Sequence, residues 1–181
     1  MSDLFGSESD EAAVLKPLAE SLRPKTIAEV IGQDQILSPD APLGAMLASG
    51  RLSSLIFWGP PGVGKTTLAR LLADHTQFHF EQISAIFTGV TDLKKVFEAA
   101  KVRASNGRGT LLFVDEIHRF NRAQQDGFLP HMEDGTILLV GATTENPSFE
   151  LNAAVLSRAQ VMVLTRLSED ELQKLLSRAE A

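Results

Sequence analysis

Residues 59–66, Gly59-Pro60-Pro61-Gly62-Val63-Gly64-Lys65-Thr66, decide how this chain folds. Immediately before them Leu55-Ile56-Phe57-Trp58 is a short apolar run, the pattern of a buried strand. After them Lys65 to His75 carries Leu68, Leu71 and Leu72 on one helical side. Between strand and helix the glycines let the backbone curl so that its N–H groups point inward at phosphate oxygens. The helix start adds the positive end of its dipole. Lys65 is expected to reach the β- and γ-phosphates of a nucleotide and Thr66 to ligate Mg²⁺, with Gly59 through Thr67 forming the cradle. An ordinary glycine turn before a helix is the plainer alternative, and the flanking strand and helix disfavour it.

The second half of such a site is Thr110-Leu111-Leu112-Phe113-Val114-Asp115-Glu116. Four apolar residues drive a strand through the core and present two carboxylates at its carboxyl end, the edge where ligands of open α/β sheets bind. Asp115 is expected to hold the metal and Glu116 to polarise the attacking water. A strand at Phe78 to Ile83 is expected to separate the lysine-loop strand from the Asp strand, which favours a Glu-using ATPase over a kinase or GTPase. Ile137-Leu138-Leu139-Val140 is a fourth strand, and Thr143-Thr144 returns to the same edge, where a hydroxyl can orient water or sense a γ-phosphate. Val161 to Leu164 is a fifth strand, preceded by Leu156-Ser157-Arg158; by residue type alone Arg158 is a surface arginine.

Helical patterns lie between the strands. Thr26 with Glu29, and Ser168 with Glu171, have capping-box spacing. Pro42 opens a helix through Leu43, Met46 and Leu47, Thr91 caps another, and Asn121 with Gln124 begins one running toward His131. Strands alternating with helices specify an α/β fold, a five-stranded parallel sheet covered on both faces. The expected organisation is a flexible acidic tail over 1–15, a nucleotide-binding core over 16–166, and the first helix of a lid over 167–181.

Composition removes whole classes of function. The chain has 181 residues and no cysteine, so disulfides and thiolate zinc sites are excluded. Its four histidines show no metal-ligand spacing. No apolar run approaches the ~20 residues of a membrane helix, and the acidic N-terminus is not a secretory signal; a cytoplasmic location follows by elimination. The net charge of −6 argues against a strongly basic surface wrapped around DNA. Lys94, Lys95, Lys101, Arg103 and Arg108 against Asp92 and Glu98 nevertheless make a local basic stretch that suits DNA phosphates. A solvated helix face is the bland alternative.

The order of lysine loop, Asp-Glu strand, hydroxyl strand and Ser-Arg resembles the clamp-loader clade of AAA+ P-loop ATPases. Asp115-Glu116-Ile117-His118-Arg119-Phe120-Asn121 and Gly141-Ala142-Thr143-Thr144-Glu145-Asn146-Pro147-Ser148-Phe149 bring the resemblance to the RarA, Mgs and Werner helicase-interacting protein family, from about Leu15 to Ala181. It implies a three-layer α/β/α domain and DNA-dependent ATPase activity at stalled replication forks, in a homo-oligomer hydrolysing Mg-ATP between subunits. It also implies a nucleoid-associated location if the source is bacterial. By that resemblance Thr143, with Thr144 the alternative, is the first sensor residue, and Arg158 is an arginine finger for the neighbouring subunit. Arg23, Ile31 and Gly32 fall in the segment that packs around adenine. Ser2-Asp3-Leu4-Phe5 resembles the end of a sliding-clamp docking peptide, through Leu4 and Phe5. Family members continue through a lid bearing a second sensor arginine and then a tetramerisation domain. A chain stopping at Ala181 is expected to cover the nucleotide on one side only and to turn over weakly.

Three other readings compete. Asp115-Glu116-Ile117-His118 formally matches a superfamily-two helicase box, but such an enzyme needs a second motor domain. A Holliday-junction branch-migration motor shares Asp-Glu-Ile-His and Gly-Ala-Thr-Thr, and lacks the Glu-Asn-Pro-Ser-Phe continuation. An ATP-binding scaffold that recruits replication partners would not need the full hydrolytic set.

Overall fold

A computed structural model describes residues 17–180. The acidic tail with Leu4 and Phe5 lies outside the described residues. Short helices α1 (Leu18–Ser21), α2 (Asp34–Leu37) and α3 (Pro42–Ser49) precede β1 (Leu55–Trp58) and α4 (Lys65–Thr76). Next come β2 (His79–Ser84), α5 (Val90–Ser105), β3 (Thr110–Asp115), α6 (Arg122–Asp126), α7 (Leu129–Glu133) and β4 (Ile137–Thr143). Two single turns, α8 (Pro147–Glu150) and α9 (Ala153–Leu156), lead to β5 (Gln160–Val163) and α10 (Glu169–Glu180).

All five strands are parallel, in the order β2-β3-β4-β1-β5. Alternate side chains of each strand divide between two cores. Leu55, Phe57, Leu111, Phe113, Val140 and Ala142 pack with α3 and α4. Ile56, Leu112, Val114 and Leu139 pack on the other face with Phe97, Phe120 and Phe128. A strand buried on both sides must be apolar throughout. Leu111 through Val114 are each 0% exposed, and each contributes about 1.5–3 kcal/mol.

The order corrects one expectation. β4, not the strand over 78–83, stands between β1 and β3, and β2 is the outer edge next to β3. Only Ile83 of β2 is buried, which explains its weak alternation in sequence. Two helix boundaries also move. Asp92 accepts a hydrogen bond from Gly89 N–H at 3.3 Å, so α5 begins at Val90, with Thr91 inside its first turn. Asn121 and Gln124 open their helix with a reciprocal cap at 2.8 and 3.0 Å. The helix they open ends at Asp126, because fully buried Phe128 turns into the cluster with Phe97 and Phe120.

His131 on α7 stacks on Phe97 with ring centroids 4.0 Å apart, and its Nδ1 is buried without a hydrogen-bond partner. Burial, then the nearby Lys101 ammonium, lower its pKa below the usual histidine value, with Asp134 and Glu98 opposing. The folded form therefore resists a proton that the unfolded chain accepts. Stability is full above the unfolded pKa of ~6.5 and is lost as pH falls through the lower folded value. His131→Phe is expected to flatten this fall, measured as the urea midpoint at neutral and mildly acidic pH; an unchanged acid loss would place its origin elsewhere.

Candidate nucleotide site

Three strand ends meet at one edge of the sheet. Trp58, last in β1, lies beside Thr143, last in β4, while Asp115 ends β3 on the other side of β4. The loop after β1 is stitched to β4 by Gly59 N–H donating to the Thr143 carbonyl at 3.2 Å. It then turns through Gly62 (φ 77°) and Gly64 (φ 96°), left-handed conformations that glycine adopts without cost, and enters α4 at Lys65.

Lys65 is only 9% exposed, and its ammonium donates to the carbonyls of Gly59 at 2.7 Å and Pro60 at 2.8 Å. Desolvation lowers its pKa; the negative charges of Glu116 and Asp115 oppose that shift, so both carboxylates are in electrostatic reach of the ammonium. The lysine loop and the acidic pair thus share one sheet edge. Thr66 and Thr67 follow in the first turn of α4.

The acidic pair is held by the backbone. Asp115 Oδ1 accepts the Glu116 N–H at 3.0 Å. Glu116 is a non-glycine residue at φ 53°, ψ 43°, a left-handed conformation that costs about 1–2 kcal/mol. Burial of the next residue offsets that cost: Ile117 is 1% exposed and presses on Gly141, where a Cβ would come within 2.9 Å of it. The short 3₁₀ turn Ile117–Arg119 then carries His118 toward β4. His118 Nδ1 lies 2.8 Å from Thr143 Oγ1, and its Nε2 lies 3.3 Å from Glu116 Oε2. Thr143, read from sequence as a γ-phosphate sensor, is fully buried, with its hydroxyl engaged by His118 and the Glu145 backbone.

Arg158 is elsewhere. It precedes β5, whose first residue pairs with Leu55 at the start of β1, so it sits at the amino edge of the sheet. Its guanidinium binds Glu133 Oε1 through Nε at 2.7 Å and Nη2 at 2.6 Å, and donates to the Ala154 carbonyl at 2.9 Å.

Beside the lysine loop lies a cavity of about 660 Å³. Arg23 and Ile31 line it, with Val63, Leu164, Leu172 and Leu175. Gly32 does not: it packs against Leu167 and the first turn of α10, with Leu167 Cδ2 only 2.7 Å and Glu171 Oε1 3.3 Å from where a Cβ would be. Nor is the cavity walled on one side only. The segment around Ile31, the lysine loop and α10 all contribute to its lining, and Arg178 of α10 donates to the Glu29 carbonyl at 3.0 Å. Gln33, in the same segment but not singled out from sequence, is 4% exposed and exchanges two hydrogen bonds with the Thr165 backbone at 2.7 and 3.0 Å, fastening this wall to the chain just after β5. Its one signal is an uncharged amide among residues that the sheet must cover. The expected Thr26–Glu29 cap shifts by a residue: Glu29 Oε2 accepts from Lys25 N–H at 2.9 Å, and the helix is one 3₁₀ turn. The Ser168–Glu171 cap is reciprocal, at 2.7 and 3.3 Å.

In α5 the basic stretch is partly neutralised. Arg103 pairs with Glu81 at 3.1 Å and Lys101 with Glu98 at 3.4 Å, while Lys94, Lys95 and Arg108 are exposed. Among the described residues no group of three or more His, Asp or Glu is arranged to hold a metal, and no helix is long and apolar enough to cross a membrane.

A parallel sheet with a glycine-lysine loop facing an Asp-Glu strand end is the nucleotide-binding arrangement of the AAA ATPases. Residues 55–167 match the model of the ATPase family associated with various cellular activities (AAA), and the chain belongs to that family. Among its relatives is replication-associated recombination protein A of Escherichia coli (strain K12), 49% identical over 179 residues, 99% of this chain and 40% of that one. ATPase WRNIP1 of Dictyostelium discoideum is 45% identical over 162 residues, 90% of this chain and 18% of that protein. The chain therefore spans less than half the length of these relatives. Among solved structures, the Thermotoga maritima RuvB Holliday junction branch migration motor superposes with a TM-score of 0.69 at 34% identity, over 87% of this chain and 53% of that one.

Proposed function

We propose that this chain is the catalytic core of a DNA-dependent ATPase of replication-associated recombination, which hydrolyses Mg-ATP at a site shared between subunits. The observation that carries the reading is the convergence of Lys65, Asp115 and Glu116 at one sheet edge beside a largely apolar cavity. The loop amides and Lys65 bind the phosphates, and the cavity at Ile31, Val63 and Leu172 takes the base. The oxygen donors Thr66 and Asp115 fit a hard cation such as Mg²⁺, which needs few protein ligands when phosphates supply the rest. When bound, it would neutralise charge on the phosphate oxygens. Glu116 takes a proton from the water that attacks the γ-phosphorus; ADP and inorganic phosphate leave.

A finger at the amino edge cannot serve a pocket at the carboxyl edge of its own subunit, so Arg158 acts on a neighbour's ATP. The exposed cations Lys94, Lys95 and Arg108 are the candidate contacts to DNA phosphates. Docking on a sliding clamp through Leu4 and Phe5 is a further proposal of the sequence alone. The likeness to RuvB favours one second reading, a branch-migration motor.

The test is ATP turnover by the full-length protein with single-stranded, gapped, forked and four-way-junction DNA, beside Lys65→Ala. Stimulation by single-stranded, gapped or forked DNA is expected, and stimulation confined to the four-way junction selects the motor. At saturating Mg-ATP the wild type is expected to melt several degrees higher, since ligand at ~100 Kd stabilises by about 2.7 kcal/mol. Lys65→Ala should abolish both the shift and turnover. ATP binding without turnover in the wild type would leave a scaffold instead.

A further inference from the structure

We infer that His118 positions Glu116 for proton abstraction by tying its carboxylate to Thr143 on the neighbouring strand; this rests on the reading of Glu116 as general base. Nothing in the spacing of residues 116, 118 and 143 announces the link. It exists because Glu116 turns the chain back at φ 53° and Ile117 plugs the core against Gly141. His118 is thereby left with its side chain 8% exposed between the base and β4.

One polarity of the contacts suits a base at Glu116. His118 Nε2 lies 3.3 Å from Glu116 Oε2, an ion-pair distance; a carboxylate ready to take a proton only accepts, so the tautomer that serves it carries the ring hydrogen on Nε2. In that tautomer Nδ1 is an acceptor and the Thr143 hydroxyl, 2.8 Å away, donates to it in preference to the Glu145 carbonyl at 3.2 Å. The Thr143 oxygen in turn accepts the Glu145 N–H at 3.0 Å. In that tautomer the contacts run from Glu145 N–H to Thr143, from Thr143 O–H to His118 Nδ1, and from His118 Nε2–H toward Glu116. The chain engages Oε2 of Glu116 and leaves Oε1 as the oxygen that takes the proton from water. Fixing one oxygen of a base from a fully buried strand end removes the rotamer freedom that would otherwise swing the other away from the reacting centre. The conformation of Thr143, whose carbonyl also anchors the lysine loop, is thereby transmitted to the base.

Asn and Gln separate the two ends of this chain. Asn at position 118 can reach Thr143 and is too short for Glu116, whereas Gln can place an amide N–H₂ near the site of Nε2. In the full-length protein, His118→Ala and His118→Asn are expected to lower kcat about 10- to 100-fold with KM within about twofold of wild type. His118→Gln should recover most of the loss, and adding His118→Ala to Glu116→Gln should lower turnover no further. A kcat near wild type in His118→Asn, equal losses in Asn and Gln, or a rise in KM with kcat unchanged would each overturn the inference. Melting temperature and ATP affinity, read on the same samples, score only folded variants, and Gln is the variant that keeps the most contacts. If Glu116→Gln itself turns over normally, the general-base reading falls and takes this one with it. If Glu116→Gln is dead while every His118 variant is normal, only the positioning role falls.

Discussion

Glu116→Gln is expected to bind ATP at least as tightly as wild type while hydrolysis falls by about 10²- to 10⁴-fold, the range general-base catalysis supplies. The substitution preserves shape and an oxygen that can accept the His118 Nε2–H, so the turn Ile117–Arg119 should stand. What is lost is a group able to take a proton, and one of the two negative charges acting on Lys65. Removing a carboxylate from the vicinity of a triphosphate lowers repulsion. Nucleotide affinity and phosphate release measured on one preparation separate the two effects. Parallel loss of binding and turnover would show that Glu116 is part of the cradle and not the base.

Arg158→Ala is expected to cost more, about 10³ to 10⁵ in turnover, the contribution of an arginine finger in phosphoryl transfer. It should leave folding almost untouched: its ion pair with Glu133 is half-exposed, and such pairs are worth about 0–1 kcal/mol. Because the finger is read as serving a neighbour, two dead proteins should rescue each other. In an equal mixture of Arg158→Ala and Glu116→Gln subunits, about one quarter of the interfaces join an intact pocket to an intact finger. Activity returning on mixing supports the shared site. No return, with exchange of subunits verified, rejects it.

The core of this architecture was readable because burial on both faces leaves a strand no choice but apolar residues. Leu55–Phe57 and Leu111–Val114 declare themselves, and the turn glycines punctuate them. The order of the strands was not readable in the same way. An edge strand such as β2 buries little, and nothing local to residues 137–143 says that β4 inserts between β1 and β3. The lysine loop and the Asp-Glu pair could be found because their chemistry is written in contiguous residues. The contacts of Gln33 with Thr165, His118 with Thr143 and Arg158 with Glu133 join residues 132, 25 and 25 positions apart. Such pairings are set by the folded surface alone. Gly32 illustrates the converse: it lies in the right segment, and its role is to let α10 come close.

The separation of Arg158 from the lysine loop by the length of a strand also bears on the proposed assembly. With Arg158 proposed as a neighbour's finger, subunits stacked head to tail each lend a finger to the next pocket, whereas a two-fold pair that completes both its sites stops at two members. A closed circle of such subunits has as many complete sites as members. An open arc always has one fewer, with an unattended pocket at one end and an idle arginine at the other, and those two ends are chemically different places for another molecule to join or leave.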